Sequence, residues 1–191
     1  GVFENIRAKL GLADELEAIQ DLLKGKQTTM PERHSGEGIF FSSKVADRFV
    51  LESHRKRLVV DNVIDDVFVE EIRPRKGTRV IFEQQPDSRR RLDEIFKRYT
   101  DEDFRFTKSR VVVKLFRDRS AYISRSQAKR LLHALDRFKK IVLDFKGVST
   151  VGQAFADEVF RVFAKAHPGI DIEPINVTEN VDFMIRRARA S

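Results

Sequence analysis

Ile141-Val142-Leu143-Asp144-Phe145 is a short apolar run, and Gly152-Gln153-Ala154-Phe155-Ala156-Asp157-Glu158-Val159-Phe160 opens a longer segment that runs to Ala166. The run has the length and β-branched content of a buried strand. The longer segment spaces Phe155, Val159, Phe160, Val162 and Phe163 at helical intervals, and so predicts a helix packed on a sheet. Pro168-Gly169 turns the chain into an expected strand at Ile170–Ile175, and Val177 to Arg189 reads as a last helix. Upstream, Phe104–Phe116 centres on Val111-Val112-Val113 and reads as one or two strands. Ser124 or Ser126 is placed to cap a helix reaching about Phe138, with Ala128, Leu131, Leu132 and Leu135 apolar. Strand and helix alternating at these lengths make parallel βαβ units. Residues 101–191 are expected to be a small α/β domain.

Residues 1–100 follow a different rhythm. Phe3, Ile6 and Leu10 predict a first short helix from Glu4. Leu16, Ile19, Leu22 and Leu23 predict a second over about Asp14–Leu23, ended by Gly25. A polar loop follows, and the helical period returns at Ile39, where Phe41, Val45 and Phe49 predict about ten helical residues. The period then changes to two. Strands are expected at Val50–Ser53, Arg57–Asn62, Val67–Ile72 and Thr78–Glu83, with Gly77 in a hairpin turn, as an antiparallel ribbon or meander. Pro86-Asp87-Ser88 opens an expected helix at about Arg89–Tyr99. The acidic stretch Thr100-Asp101-Glu102-Asp103 separates the two halves.

Composition narrows the function classes. With no Cys, there is no disulfide scaffold, thiolate metal site or cysteine nucleophile. The four His have no metal-ligand spacing, so no metal site is expected. No run approaches the roughly 18 apolar residues of a membrane span, and a cytoplasmic protein without membrane contact is expected. The net charge is +7, divided as +1 over residues 1–100 and +6 over 101–191. That asymmetry suits either a solvated basic surface or an anionic partner. Asp144, Asp157 and Glu158 offer a conceivable acid/base set, but acids in the first turns of a helix read as surface residues favoured by the dipole. His133, beside Leu132, reads as packing. The 16 Phe fall at periodic apolar positions and read as core. No catalytic residue is assigned.

One loop carries chemistry. In His34-Ser35-Gly36-Glu37-Gly38-Ile39 two glycines stand directly before a helix, where backbone N–H groups and the helix dipole favour an anion. Lys26, Thr28, Thr29, Ser35 and Lys44 add charge and hydroxyl donors around such a group. The alternative is an ordinary loop-to-helix turn. It is neither a P-loop nor a Rossmann glycine loop, for no G-K-[ST] follows and no strand precedes it.

Lys26-Gln27-Thr28-Thr29, together with Gly36-Glu37-Gly38 and the strands ending at Gly77-Thr78 and Val80-Ile81-Phe82, resembles the lid, last glycine box and closing strands of GHKL (histidine kinase-like, Bergerat-fold) ATPases. The resemblance covers about residues 1–85. It implies a partial Bergerat-type sandwich in which Lys26, Thr28, Thr29, Ser35, Gly36 and Gly38 face the phosphates of ATP. It also implies that ATP and Mg²⁺ belong to a longer parent protein. The Glu/Asn helix and the Asp-x-Gly-x-Gly box of that family do not occur here, so this chain, read as a C-terminal fragment, is expected to hold neither by itself. Residues 104–190 resemble the STAS-like domains of unknown function found behind such ATPase domains. The resemblance rests on Ile141-Val142-Leu143-Asp144-Phe145-Lys146-Gly147-Val148-Ser149 and Gly152-Gln153-Ala154-Phe155. In STAS proteins of the anti-anti-sigma type this junction presents a phosphorylatable Ser; here Gln153 and Ala154 stand in its place. The fold expected overall is α/β (α+β), an antiparallel first domain and a STAS-like second one. The expected function is that of a bacterial nucleotide-responsive regulator in signalling or transcription, with a protein partner on the STAS-like domain. The alternatives are a module that binds nucleic acid through the basic second half, and a structural interaction domain.

Overall fold

A computed structural model describes residues 1–25, 37–99, 110–115, 122–136 and 138–190. The chain divides into two compact units, residues 1–107 and 108–191. The first is an α+β unit built on an antiparallel hairpin, the second a parallel α/β unit. Among the described residues no helix is long and apolar enough to cross a membrane.

In the first unit, α1 (Val2–Leu10) ends in a left-handed Gly11, and α2 (Glu15–Leu23) begins at Asp14, whose side chain accepts from the Glu17 N–H. Phe3 and Ile6 of α1 and Ala18, Ile19 and Leu22 of α2 are buried. Helix α3 (Gly38–Val45) buries Phe40 and Phe41; the Phe41 ring stacks at 4.2 Å on Phe96 of α4 (Leu92–Tyr99). Two long strands, β1 (Arg48–Asp61) and β2 (Asp66–Glu83), pair antiparallel.

This corrects two expectations. Helix α3 stops at Val45, so Phe49 lies in β1 rather than on the helix. Ala46 is extended (ψ 147°), and the Asn62 side-chain amide donates to the carbonyls of Ser43 and Ala46 at 2.7 and 2.8 Å, satisfying the helix end. Likewise the four expected strands are two. The hairpin turns at residues 62–65, where the Asp61 carboxylate accepts from the N–H groups of Val63 and Ile64 and Asp65 has φ +52°. Gly77 (φ +83°) sits within β2. Ser53 pairs with Thr78, His54 with Arg75 and Lys56 with Glu71, so β2 carries surplus residues at two bulges, one at Lys76-Gly77 and one at Ile72-Arg73-Pro74. Pro74, which has no N–H to give a ladder, is accommodated in the second.

In the second unit β3 (Arg110–Lys114), β4 (Lys140–Asp144) and β5 (Asp171–Ile175) form a parallel sheet in that order. Helix α5 (Arg125–Leu132) lies between β3 and β4. Ser124 and Gln127 close a reciprocal capping box at its start. It ends at Leu132, short of the expected Phe138, because Ala134 turns left-handed (φ +58°). The segment after β4 is α6 (Gln153–Asp157), a π-helical turn (Glu158–Phe163) and α7 (Ala164–Ala166), where a plain α-helix was expected. Helix α8 (Glu179–Arg189) is capped by Thr178. Val111, Val113, Ile141, Leu143 and Ile172 of the sheet pack with Leu131, Phe155, Val159, Phe160, Val181 and Ile185 of the helices in one core.

Candidate functional site

Of the residues assigned to phosphate, Lys26, Thr28, Thr29, Ser35 and Gly36 lie outside the described residues. The two ends of their loop are placed. Gly25 closes α2 with φ +77°, and a Cβ there would stand 2.7 Å from the Phe40 ring, so α2 and α3 approach closely at this point. Gly38 is the first residue of α3, and Glu37 precedes it without a side-chain hydrogen bond to the helix end. Gly38 does not occupy the left-handed region, and a Cβ on it would meet no described residue within 4 Å. Backbone strain therefore gives no reason for glycine at this position.

Lys44 stands six residues beyond Gly38, about 9 Å along the helix axis. It belongs to the opposite end of α3 from the glycine. Its ammonium lies 5.7 Å from the centre of the Phe40 ring. Burial is the first cause holding its pKa below the ordinary lysine value; Asp65 opposes that shift and Arg90 adds to it. Arg90 donates to the carbonyls of Lys44 and Asn62 at 2.9 and 2.8 Å. Beside it, Asp47 accepts from the Gln85 N–H and the Ser88 hydroxyl, both at 2.7 Å, which lower the Asp47 pKa in that order. The middle arginine of Arg89-Arg90-Arg91 thus holds backbone together.

In the second unit the junction between β4 and α6 is pinned from several sides. The Asp144 carboxylate accepts from the Lys146 N–H at 2.9 Å and from the Asn176 side-chain amide at 2.8 Å. The Thr178 hydroxyl donates to the Ser149 carbonyl at 2.9 Å. Gly152, the N-cap of α6, donates its N–H to the Tyr122 carbonyl at 2.7 Å, and a Cβ on it would stand 2.6 Å from the Ile123 carbonyl oxygen. The strand-end of the α6 helix is therefore covered by the Tyr122-Ile123 backbone, and glycine is required there for close approach. Phe155 is fully buried with its ring 5.3 Å from Tyr122.

Two readings from the sequence are corrected here. Asp157 and Glu158 are buried, not surface acids. Arg161 and Arg125 pair with Asp157, and Arg125 reaches Glu158 at 3.2 Å. The Arg161 hydrogen bond is the first cause of a lowered Asp157 pKa, so this carboxylate is held as an anion and is a poor proton donor. His133 is exposed at the end of α5, where it was expected to pack. The ion-pair cluster itself was missed in the sequence. Its signal is Asp157 four residues before Arg161, a helical ion-pair spacing.

Residues 127–182 match the model of a family described as a STAS-like domain of unknown function. The second unit is STAS-like across those residues, which contain most of α5, then β4, the junction, the π-helical turn, β5 and the start of α8. No curated protein and no solved structure matches the chain.

Proposed function

We propose that this chain is a regulatory interaction protein whose STAS-like unit docks a protein partner without being switched by phosphate. The first unit, in this reading, contributes the lid and last glycine box of a GHKL-type ATP site in a cytoplasmic bacterial regulator of signalling or transcription. The observation that carries the reading is the β4–α6 junction. It has the form of a strand, a loop and a helix start within the STAS-like match, yet Gly152, Gln153, Ala154 and Phe155 offer no hydroxyl. Backbone at Tyr122 and Ile123 covers the place where an anion would meet the helix.

The nucleotide part of this reading has a direct test. Alanine at Gly38 meets no steric obstacle among the described residues and improves helix propensity. Any loss of Mg-ATP affinity in Gly38→Ala would then arise from crowding of the ligand, whereas Glu37→Ala should bind normally. Titration calorimetry on the full-length protein makes the comparison; equal affinity in both variants, or equal loss, contradicts the assignment. The alternative of nucleic acid on the basic second half has less support. Arg125, Lys140, Arg161 and Arg186 are in ion pairs, and Arg189 donates to the Ile172 carbonyl and lies over the Phe160 ring.

A further inference from the structure

In the first unit, seven cations lie at the irregular centre of the hairpin. Arg73, Arg75, Lys76 and Arg79 occupy β2, with Arg55, Lys56 and Arg57 on β1 beside them. Three carboxylates serve these seven cations. Glu52, 4% exposed, takes Arg57 at 2.8 Å, Arg75 at 3.1 Å and Arg79 at 3.7 Å. Glu70 takes Arg57 at 3.1 Å, and Glu71 takes Lys56 at 2.9 Å. Arg55, Arg73 and Lys76 are exposed and have no ion pair among the described residues. These are the positions the bulges release from regular pairing. Arg73 and Lys76 lie in the surplus residues of β2, and Arg55 stands opposite the Ile72-Arg73-Pro74 bulge.

Bulges re-aim side chains, and like charges gathered at one place repel unless an anion joins them. From Arg73 to Arg79 the strand extends about 20 Å. From Arg73 to Arg79 Pro74 is the only apolar side chain, and the exposed Val80 and Phe82 follow beyond the last of these cations. No strand pairs with the outer edge of β2 among the described residues. A row of charges uninterrupted by large apolar side chains is suited to a regularly repeating polyanion, and guanidinium groups match phosphate oxygens. We infer that the kinked centre of the hairpin, Arg55, Arg73 and Lys76 with the arginines around Glu52, is a phosphate-backbone contact surface for nucleic acid, independent of base sequence. Its residues are none of those assigned to the loop before α3 or to the STAS-like junction.

The test is fluorescence anisotropy of the 191-residue chain with a labelled DNA duplex of about 20 base pairs, across about 50 to 200 mM salt. Two triple variants are compared: Arg55→Gln/Arg73→Gln/Lys76→Gln, and Lys129→Gln/Lys139→Gln/Lys165→Gln, which removes the same charge from exposed positions of the second unit. Every phosphate that the protein ceases to neutralise lowers the slope of log affinity against log salt by about 0.9. The hairpin variant is therefore expected to lose about two to three in slope and at least about tenfold in affinity at low salt. The control keeps the parent slope, and circular dichroism shows both folded. Equal loss in the two triples would reduce the effect to net charge and overturn the proposal. Absence of duplex binding, or tighter binding of an Asp/Glu-rich peptide abolished by the same hairpin substitutions, would overturn it as well.

Discussion

Asn62 and Arg90 do at single positions what a glycine often does at a helix end: they satisfy the last carbonyls of α3. Asn62→Ala leaves the Ser43 and Ala46 carbonyls without that donor and is expected to cost about 1–3 kcal/mol in chemical denaturation. A hairpin merely tolerant of residue 62 would show no loss. Gly152→Ala is expected to destabilise by about 1–3 kcal/mol, since the new Cβ meets the Ile123 backbone rather than a movable side chain. An unchanged denaturation midpoint would show that the Tyr122-Ile123 segment gives way. Asp47, Glu52 and Asp157 share one pH behaviour. Each has a pKa lowered first by a hydrogen bond, from the Gln85 N–H, from Arg57 and from Arg161 respectively. A carboxylate depressed in the folded state stabilises fully above its unfolded value, about 4, and the stability is lost as pH falls through the folded value. Thermal melts between pH 6 and 3 are expected to stay level above about pH 5 and then fall steadily. A midpoint that rises with acidification would contradict these assignments.

Among the elements, the legible ones were those with strong period and an explicit cap. Asp14 before α2, Ser124 before α5 and the apolar run at Ile141 announced their elements within a few residues. The hairpin was harder to read because its punctuation is displaced. Pro74 and Gly77 look like turn residues and are bulge residues, whereas the turn itself contains apolar Val63 and Ile64. The usable signal was the three acids at the turn, Asp61, Asp65 and Asp66, since an Asp side chain can bond the backbone two residues on. The π-helical turn was not legible at all. Apolar spacing near 3.6 continues through Glu158–Phe163, and the wider turn becomes evident only with Val159 and Phe160 both buried and Asp157 and Glu158 paired. At the candidate site, the sequence located Gly38 at a helix start, and Lys44 stands six residues further along the same helix.

On the scale of the whole molecule, charge is organised differently from its sum. The second half has the larger basic excess, with Arg125, Lys140 and Arg161 in ion pairs and Lys129, Lys139 and Lys165 exposed along it, while the hairpin of the first unit brings seven cations to the two sides of its bulges. The chain by itself is expected to bind Mg-ATP weakly, because interactions of the kind made by an adenine-binding Asp and a metal-positioning Asn are worth about 1.5–3 kcal/mol each and neither box occurs in this sequence. Micromolar affinity in a calorimetric titration would contradict this. The central claim is that the STAS-like unit keeps the shape of a regulatory junction without its phosphate acceptor. Incubation of the chain with GHKL-type kinases and ATP, followed by peptide mass spectrometry, tests it most directly. Residues 149–155 are expected to remain unmodified; stoichiometric phosphate on Ser149 or Thr150 would contradict the claim.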